Sequence, residues 1–274
     1  MSNNYKVKKT IIFWLTIPLA IFIAHLSIYY PVLSSREYEQ PELQSEPERV
    51  DVSDFSWNGE GLITFWFDDA WFSQYQEGYS KMKENDWRAA LAVPTHHVEW
   101  DAYMNWNQVV KLFHTGWEIT AHSRNHRCDL VNYPSKYAFS EIVGSQYDLA
   151  QRGILADIYV PPCGVVSDEF TLLVKNHFKA QRVVETGINS LPVPPENRYQ
   201  LVIKTIESST NIEEVQALIA QTKRDKGWLI LMFHEINENN SIFSTTSDFF
   251  EQIIQEVKQS ELEVVIPSEA LSIK

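Results

Sequence analysis

Eight short apolar, β-rich runs alternate along this chain with longer stretches of helical periodicity, and that alternation constrains the fold more than any single motif. The runs are 61–67, 88–93, 117–121, 157–160, 181–185, 201–206, 228–233 and 263–266. Helical stretches between them include 74–85, 107–114, 138–152, 168–177, 212–225 and 246–259. Strand, helix, strand successions of this kind predict parallel strands joined by helical crossovers, and their number predicts a parallel barrel. After the first sixty residues about 215 remain, enough for one α/β barrel with an ample core.

Two pairs of polar residues stand where these runs end. Asp68 and Asp69 follow the run Gly61 to Phe67 directly, and adjacent residues leaving a strand can aim at different targets. One carboxylate can bind a cation while its neighbour stays free. His122 and His126 follow the run ending at Ala121, and a spacing of four brings both imidazoles to one side if the backbone turns helically there. One carboxylate oxygen and two imidazole nitrogens suit a divalent transition metal, zinc first, with a position left for water or substrate. Each pair has a plainer reading: Asp-Asp caps helices and turns, and a lone HxxxH is an ordinary surface or core feature. Both pairs at strand ends of one βα alternation point to a catalytic face instead.

With these residues in place, the chain resembles the polysaccharide deacetylases, the NodB-homology family of carbohydrate esterases. Phe67-Asp68-Asp69-Ala70-Trp71 is similar to the family's first motif with Ala in place of Gly, and Gly116 to Leu130 to its second. Tyr159-Val160-Pro161-Pro162-Cys163-Gly164 resembles the third, and Leu229 to His234 the last, an apolar strand ending in His. The resemblance spans about residues 60 to 271. It implies a distorted (β/α)7 barrel, with Asp69, His122 and His126 as ligands of a divalent metal, zinc with cobalt or nickel as alternatives. It implies Asp68 as general base, His234 as general acid and the backbone N–H of Cys163 as an oxyanion donor. Trp71, Pro162 and Cys163 would border the sugar. Trp100 and Trp106 also lie near predicted site loops, where stacking on sugar faces competes with ordinary burial.

The chain departs from the family at three points. Val160 stands where the third motif commonly has an Arg that orients the base, so whatever steers Asp68 comes from elsewhere. Cys163 replaces a Tyr whose ring helps form the sugar groove, which suggests a differently shaped cleft. The Asp-bearing fourth motif has no clean counterpart; Arg182 and Glu185 are candidates by position only, a surface pair being the alternative. Cys128 and Cys163 are the two cysteines; two free thiols are expected ahead of a disulfide, since sequence carries no distance between them.

The amino-terminal region carries a separate signal. Ile11 to Leu33 is almost uncharged and longer than the roughly 20 residues a bilayer requires, with Lys6, Lys8 and Lys9 before it and Arg36, Glu37 and Glu39 after. By the positive-inside rule this predicts a short cytoplasmic tail over 1–10, a single transmembrane helix over 11–33 and an extracytoplasmic domain. A cleaved signal peptide is the alternative. Residues 34–56 read as an acidic flexible tether to a catalytic domain over 57–274. Residues 1–33 hold three Lys and no acids, so of 23 bases and 36 acids the rest keeps 20 against 36, or −16, which disfavours nucleic acid. The sequence thus predicts a membrane-anchored, metal-dependent deacetylase of an N-acetylglucosamine-based polysaccharide. A small-amide carbon–nitrogen hydrolase on the same barrel and a non-catalytic sugar-binding relative are the competing readings.

Overall fold

The computed structural model describes residue 43, residues 45–239 and residues 241–272. The expected cytoplasmic tail, transmembrane helix and first part of the tether lie outside the described residues. Among those described, no helix is long and apolar enough to cross a membrane.

The strands are β1 (Leu62–Asp68), β2 (Ala90–Val93), β3 (Glu118–Ala121), β4 (Ile158–Tyr159), β5 (Ala180–Thr186), β6 (Leu201–Thr205), β7 (Trp228–Phe233) and β8 (Glu263–Val264). The helices are α1 (Tyr79–Glu84), α2 (Trp106–His114), α3 (Ser135–Ala150), α4 (Asp168–His177), α5 (Ile212–Asp225), α6 (Ser247–Ser260) and α7 (Pro267–Ser272). All strand pairs are parallel, and β1 to β7 close into a ring through β1·β2 and β1·β7. The expected (β/α)7 barrel is therefore present.

Its distortion has a local cause. β7 pairs with β1 along Leu62 to Phe67, whereas β2 meets it only at Trp66 to Asp68. The open edge at the start of β1 is taken by β8, through Leu62↔Glu263 and Ile63↔Val264, and Val265 N–H donates to the Ile63 carbonyl at 2.9 Å. The eighth run is thus a filler of the seam and not a stave of the barrel.

Alternation along the strands sorts two apolar layers. Ile63, Phe65 and Phe67 join Val109, Leu112, Ile142, Val174, Phe250 and Ile253 in the layer between barrel and helices. Leu62, Trp66, Ala92, Ile158, Val160, Ala180, Leu201, Ile203, Trp228 and Ile230 fill the interior, with Ala270 and Leu271 of α7, Phe55 and Trp57 at the amino end of the strands. Each Val, Leu, Ile or Phe among them contributes about 1.5–3 kcal/mol when buried. The tether expectation needs correction at its end. Within 34–56, Glu48 bridges to Ile154 and Arg49 pairs with Asp157 at 2.6 Å, while Val50 and Phe55 pack on the barrel, because the stretch carries apolar residues a free linker would not bury.

Candidate active site

Strand parity separates the two aspartates. Asp68 is the last residue of β1, in step with the inward Leu62, Thr64 and Trp66, and is buried. Asp69 begins a left-handed turn, with φ 78° there and 58° at Ala70, a region that side chains with a Cβ enter at a cost. Reversing the chain this sharply sends the two carboxylates apart.

Asp69 Oδ1 is buried without a well-aligned hydrogen-bond donor and faces His126 Nε2 at 3.1 Å and His122 Nε2 at 3.4 Å. The three side chains offer one ligand atom each within 4.8 Å of one another. His122 Nδ1 is held 2.7 Å from the Val160 carbonyl, so it carries the proton and leaves Nε2 as the free lone pair. Trp71 Nε1 donates to Asp69 Oδ2 at 3.1 Å, which directs the other oxygen toward the histidines. Burial disfavours charge on Asp69, yet the His122 ring, then the charges of His122, His126 and His234, outweigh it and hold the carboxyl well below the usual carboxylate range. Burial, with His122 nearby, lowers His126 to about 4, so its imidazole is neutral and available near neutrality. A preset tautomer at His122, a neutral imidazole at His126 and an ionised carboxylate fit a divalent cation.

The histidines converge by a route other than the helical turn expected. Residues 122–127 form no helix. Instead Ser123 and His126 take left-handed φ values of 57° and 50°, and Ser123 Oγ accepts from His126 N–H at 3.1 Å. Two carboxylates of α3 fasten this loop from behind. Arg124 grips Asp148 through Nε at 2.8 Å and Nη2 at 2.6 Å, and Asn125 donates to Glu141 from its N–H at 2.9 Å and Nδ2 at 2.6 Å.

Asp68 has its own partner, on the far side of the sheet order. Arg182, fully buried on β5, donates through Nη2 to Asp68 Oδ2, and its guanidinium lies 5.2 Å from the Trp66 ring centroid. The pairs Ile158↔Ala180 and Tyr159↔Gln181, continued by one residue, set Val160 beside Arg182. The arginine missing from position 160 is thus replaced from the neighbouring strand. Glu185, the other positional candidate, lies within the β5 register shift between Arg182 and Thr186 and is exposed.

His234 follows β7, with Nε2 4.0 Å from Asp69 Oδ2 and Phe243 5.2 Å from its ring. Gln74, buried in the π turn Gln74–Gly78, donates to the carbonyls of Asp68 at 2.5 Å and His234 at 2.9 Å and so ties the first and last motifs together. Sequence reasoning did not single out Gln74, Asp148 or Glu141; each is an ordinary polar residue on a helical stretch. Trp71 stacks on Tyr103 at 4.3 Å and His97 on Trp100 at 4.3 Å, leaving Trp100 exposed at the rim. Pro162 is buried beneath the turn Pro162–Gly164, so in this structure it supports the cleft and offers no open face.

Cys163 sits in that turn at φ 54°, ψ 16°. The expectation of two free thiols is corrected: Cys163 is joined to Cys128 in a disulfide. β3 and β4 are neighbours through Ala121↔Tyr159, so the loops that leave them approach and bring the two Cα atoms to 5.4 Å, within bridging range. Their sulfurs also lie within 4.8 Å of a His126 ring nitrogen, but bonded to each other they are not thiolate ligands, and Asp69, His122 and His126 remain the candidate cation group.

A parallel barrel with an Asp-His-His cluster, a separate buried carboxylate and a further His at the carboxyl ends of its strands defines a hydrolase-type site. Residues 58–179 match the family model for polysaccharide deacetylase. Among solved structures, the carbohydrate esterase family 4 domain of a multidomain xylanase from the hindgut metagenome of Trinervitermes trinervoides is 19% identical, with a TM-score of 0.54 over 77% of this chain and 89% of that one. A family 4 acetyl xylan esterase from Clostridium thermocellum, in complex with a cobalt ion, is 19% identical at TM-score 0.53, over 77% and 90%. Peptidoglycan deacetylase PdaC from Bacillus subtilis is 16% identical at 0.53, over 77% and 90%. A search of curated protein sequences finds no match.

Proposed function

We propose that this protein is a metal-dependent deacetylase that hydrolyses N-acetyl groups of a cell-surface or extracellular polysaccharide built on N-acetylglucosamine. The observation that carries the reading is the separation of the two neighbouring aspartates, one facing His122 and His126 and the other held by Arg182. A divalent cation, zinc with cobalt or nickel as alternatives, held by Asp69, His122 and His126 would polarise the acetyl carbonyl and lower the pKa of a water. Asp68 takes the proton from the attacking water, since a carboxylate committed to a cation is a poor base. Arg182 holds Asp68 in place for that transfer. His234 gives a proton to the departing amine, which leaves poorly without one. The N–H of Cys163 donates to the oxygen on which charge develops. Trp71 steadies Asp69 and, with exposed Trp100, borders the groove where pyranose faces stack.

Anchoring by the apolar run 11–33, with the domain outside the cytoplasm, suits an immobile or secreted polymer. Acetate release tests the reading. The full chain, loaded with zinc, cobalt or nickel, is given chitin oligomers, β-1,6-linked N-acetylglucosamine, peptidoglycan and O-acetylated xylan. Release from an N-acetylated substrate is expected; binding without release from any of the four would leave the sugar-binding reading in its place. For location, protease added to spheroplasts should digest the domain, and full protection would contradict the proposed topology.

A further inference from the structure

We infer that the Cys128–Cys163 disulfide is a positioning brace of the catalytic centre, holding the metal-ligand loop and the oxyanion turn in fixed relation; the inference rests on the roles just assigned to His126 and Cys163. Neither segment is held by regular structure. His126 lies in a loop outside helix and strand and takes φ 50°, and Cys163 takes φ 54° in a single short turn. Left-handed backbone at residues with a Cβ is disfavoured and persists only where surroundings over-determine it.

Each segment is fastened on one side by other means. Glu141 and Asp148 hold Arg124 and Asn125 behind the metal-ligand loop. Gly164 seats the oxyanion turn on β5 so closely that a Cβ there would stand 2.2 Å from a Val184 methyl. The disulfide supplies the other side, reaching the first loop two residues past His126 and the second at the donor residue itself. Both cysteines are exposed, so a reductant can reach them.

The test compares the full-length protein oxidised, reduced with a phosphine and reoxidised, beside the variant Cys128→Ser/Cys163→Ser. Amide hydrogen exchange of the metal-free protein is read at 122–128 and 163–165, zinc affinity by chelator competition, and kcat and KM by acetate release. Reduction is expected to speed exchange in both segments, weaken zinc binding by roughly 10- to 100-fold, and lower kcat with little change in KM. Reoxidation should restore all three, and the double variant should match the reduced form and ignore the phosphine. Equal exchange and equal zinc affinity in oxidised and reduced protein would overturn the brace. Should the variant fail to fold, reduction of the folded wild-type protein decides alone. Because exchange is read without metal or substrate, the outcome is independent of the deacetylase reading, whose own failure would show as an oxidised, metal-loaded protein that releases no acetate.

Discussion

At the scale of single residues, the arrangement turns on one strand-end decision: Asp68 keeps the inward parity of β1 while Asp69 leaves it through φ 78°. Asp68→Asn should therefore lower turnover by at least the 10²- to 10⁴-fold that general bases contribute while metal stays bound, whereas Asp69→Asn should lose metal as well. Elemental analysis beside acetate release separates the two. Arg182 invites a second test. Its loss leaves Asp68 buried beside a neutral neighbour, and breaking a buried pair costs about 3–5 kcal/mol. Arg182→Leu should lower both the melting temperature and kcat, and adding Val160→Arg should recover part of kcat, because the residue after β4 continues its register beside Arg182 of β5. A double variant no better than Arg182→Leu would show that the guanidinium must come from β5.

At the scale of elements, helix α3 acts as a backing plate for the His122 to His126 loop. Its Gly144 is there for space: an added Cβ would lie 2.6 Å from Arg124 Cζ, and that guanidinium cannot retreat without leaving Asp148. Gly144→Ala is a favourable change for an isolated helix, by about 1 kcal/mol, yet here overpacking should make it destabilising by about 1–3 kcal/mol and weaken zinc binding. Thermal melts with chelator competition check both signs. The loop was legible in the sequence as a ligand pair; its backing was not, because Glu141 and Asp148 look like any acids on a solvent-facing helical stretch until the helix docks.

At the scale of the whole molecule, the barrel is closed at its amino end by groups remote from the chemistry. Glu118, buried at the start of β3, accepts from Ser268 N–H at 2.7 Å and Ser268 Oγ at 2.6 Å. Burial pushes it from its ordinary 4.5 up to about 7, against these hydrogen bonds and with Asp157 and Glu269 adding to the rise. A raised folded pKa means that the folded state keeps its proton longer than the unfolded chain. The associated stability is complete below pH 4.5 and is lost as pH rises toward 7, on the order of 3 kcal/mol in all. The melting temperature of the wild-type protein should thus fall between pH 5 and pH 8 by more than that of Glu118→Gln; parallel curves would refute the assignment. The disulfide acts at the same scale, closing a span of 35 residues and restricting the unfolded chain by about 3–4 kcal/mol.

The sequence by itself determined the βα alternation and the strand ends at which Asp68, Asp69, His122 and His126 stand. These depend on side-chain periodicity and on residues a few positions apart, which a linear chain records directly. Only the tertiary structure decided that β8 fills a seam, that residues 48–56 dock, that His126 turns back through left-handed backbone, and that Cys128 meets Cys163. Above all it decided that Arg182 serves Asp68 from 114 residues away. Closure of the barrel sets those distances, and a substitution that moves a charge from one strand to the next leaves no local pattern behind, because its meaning lies in the register between strands.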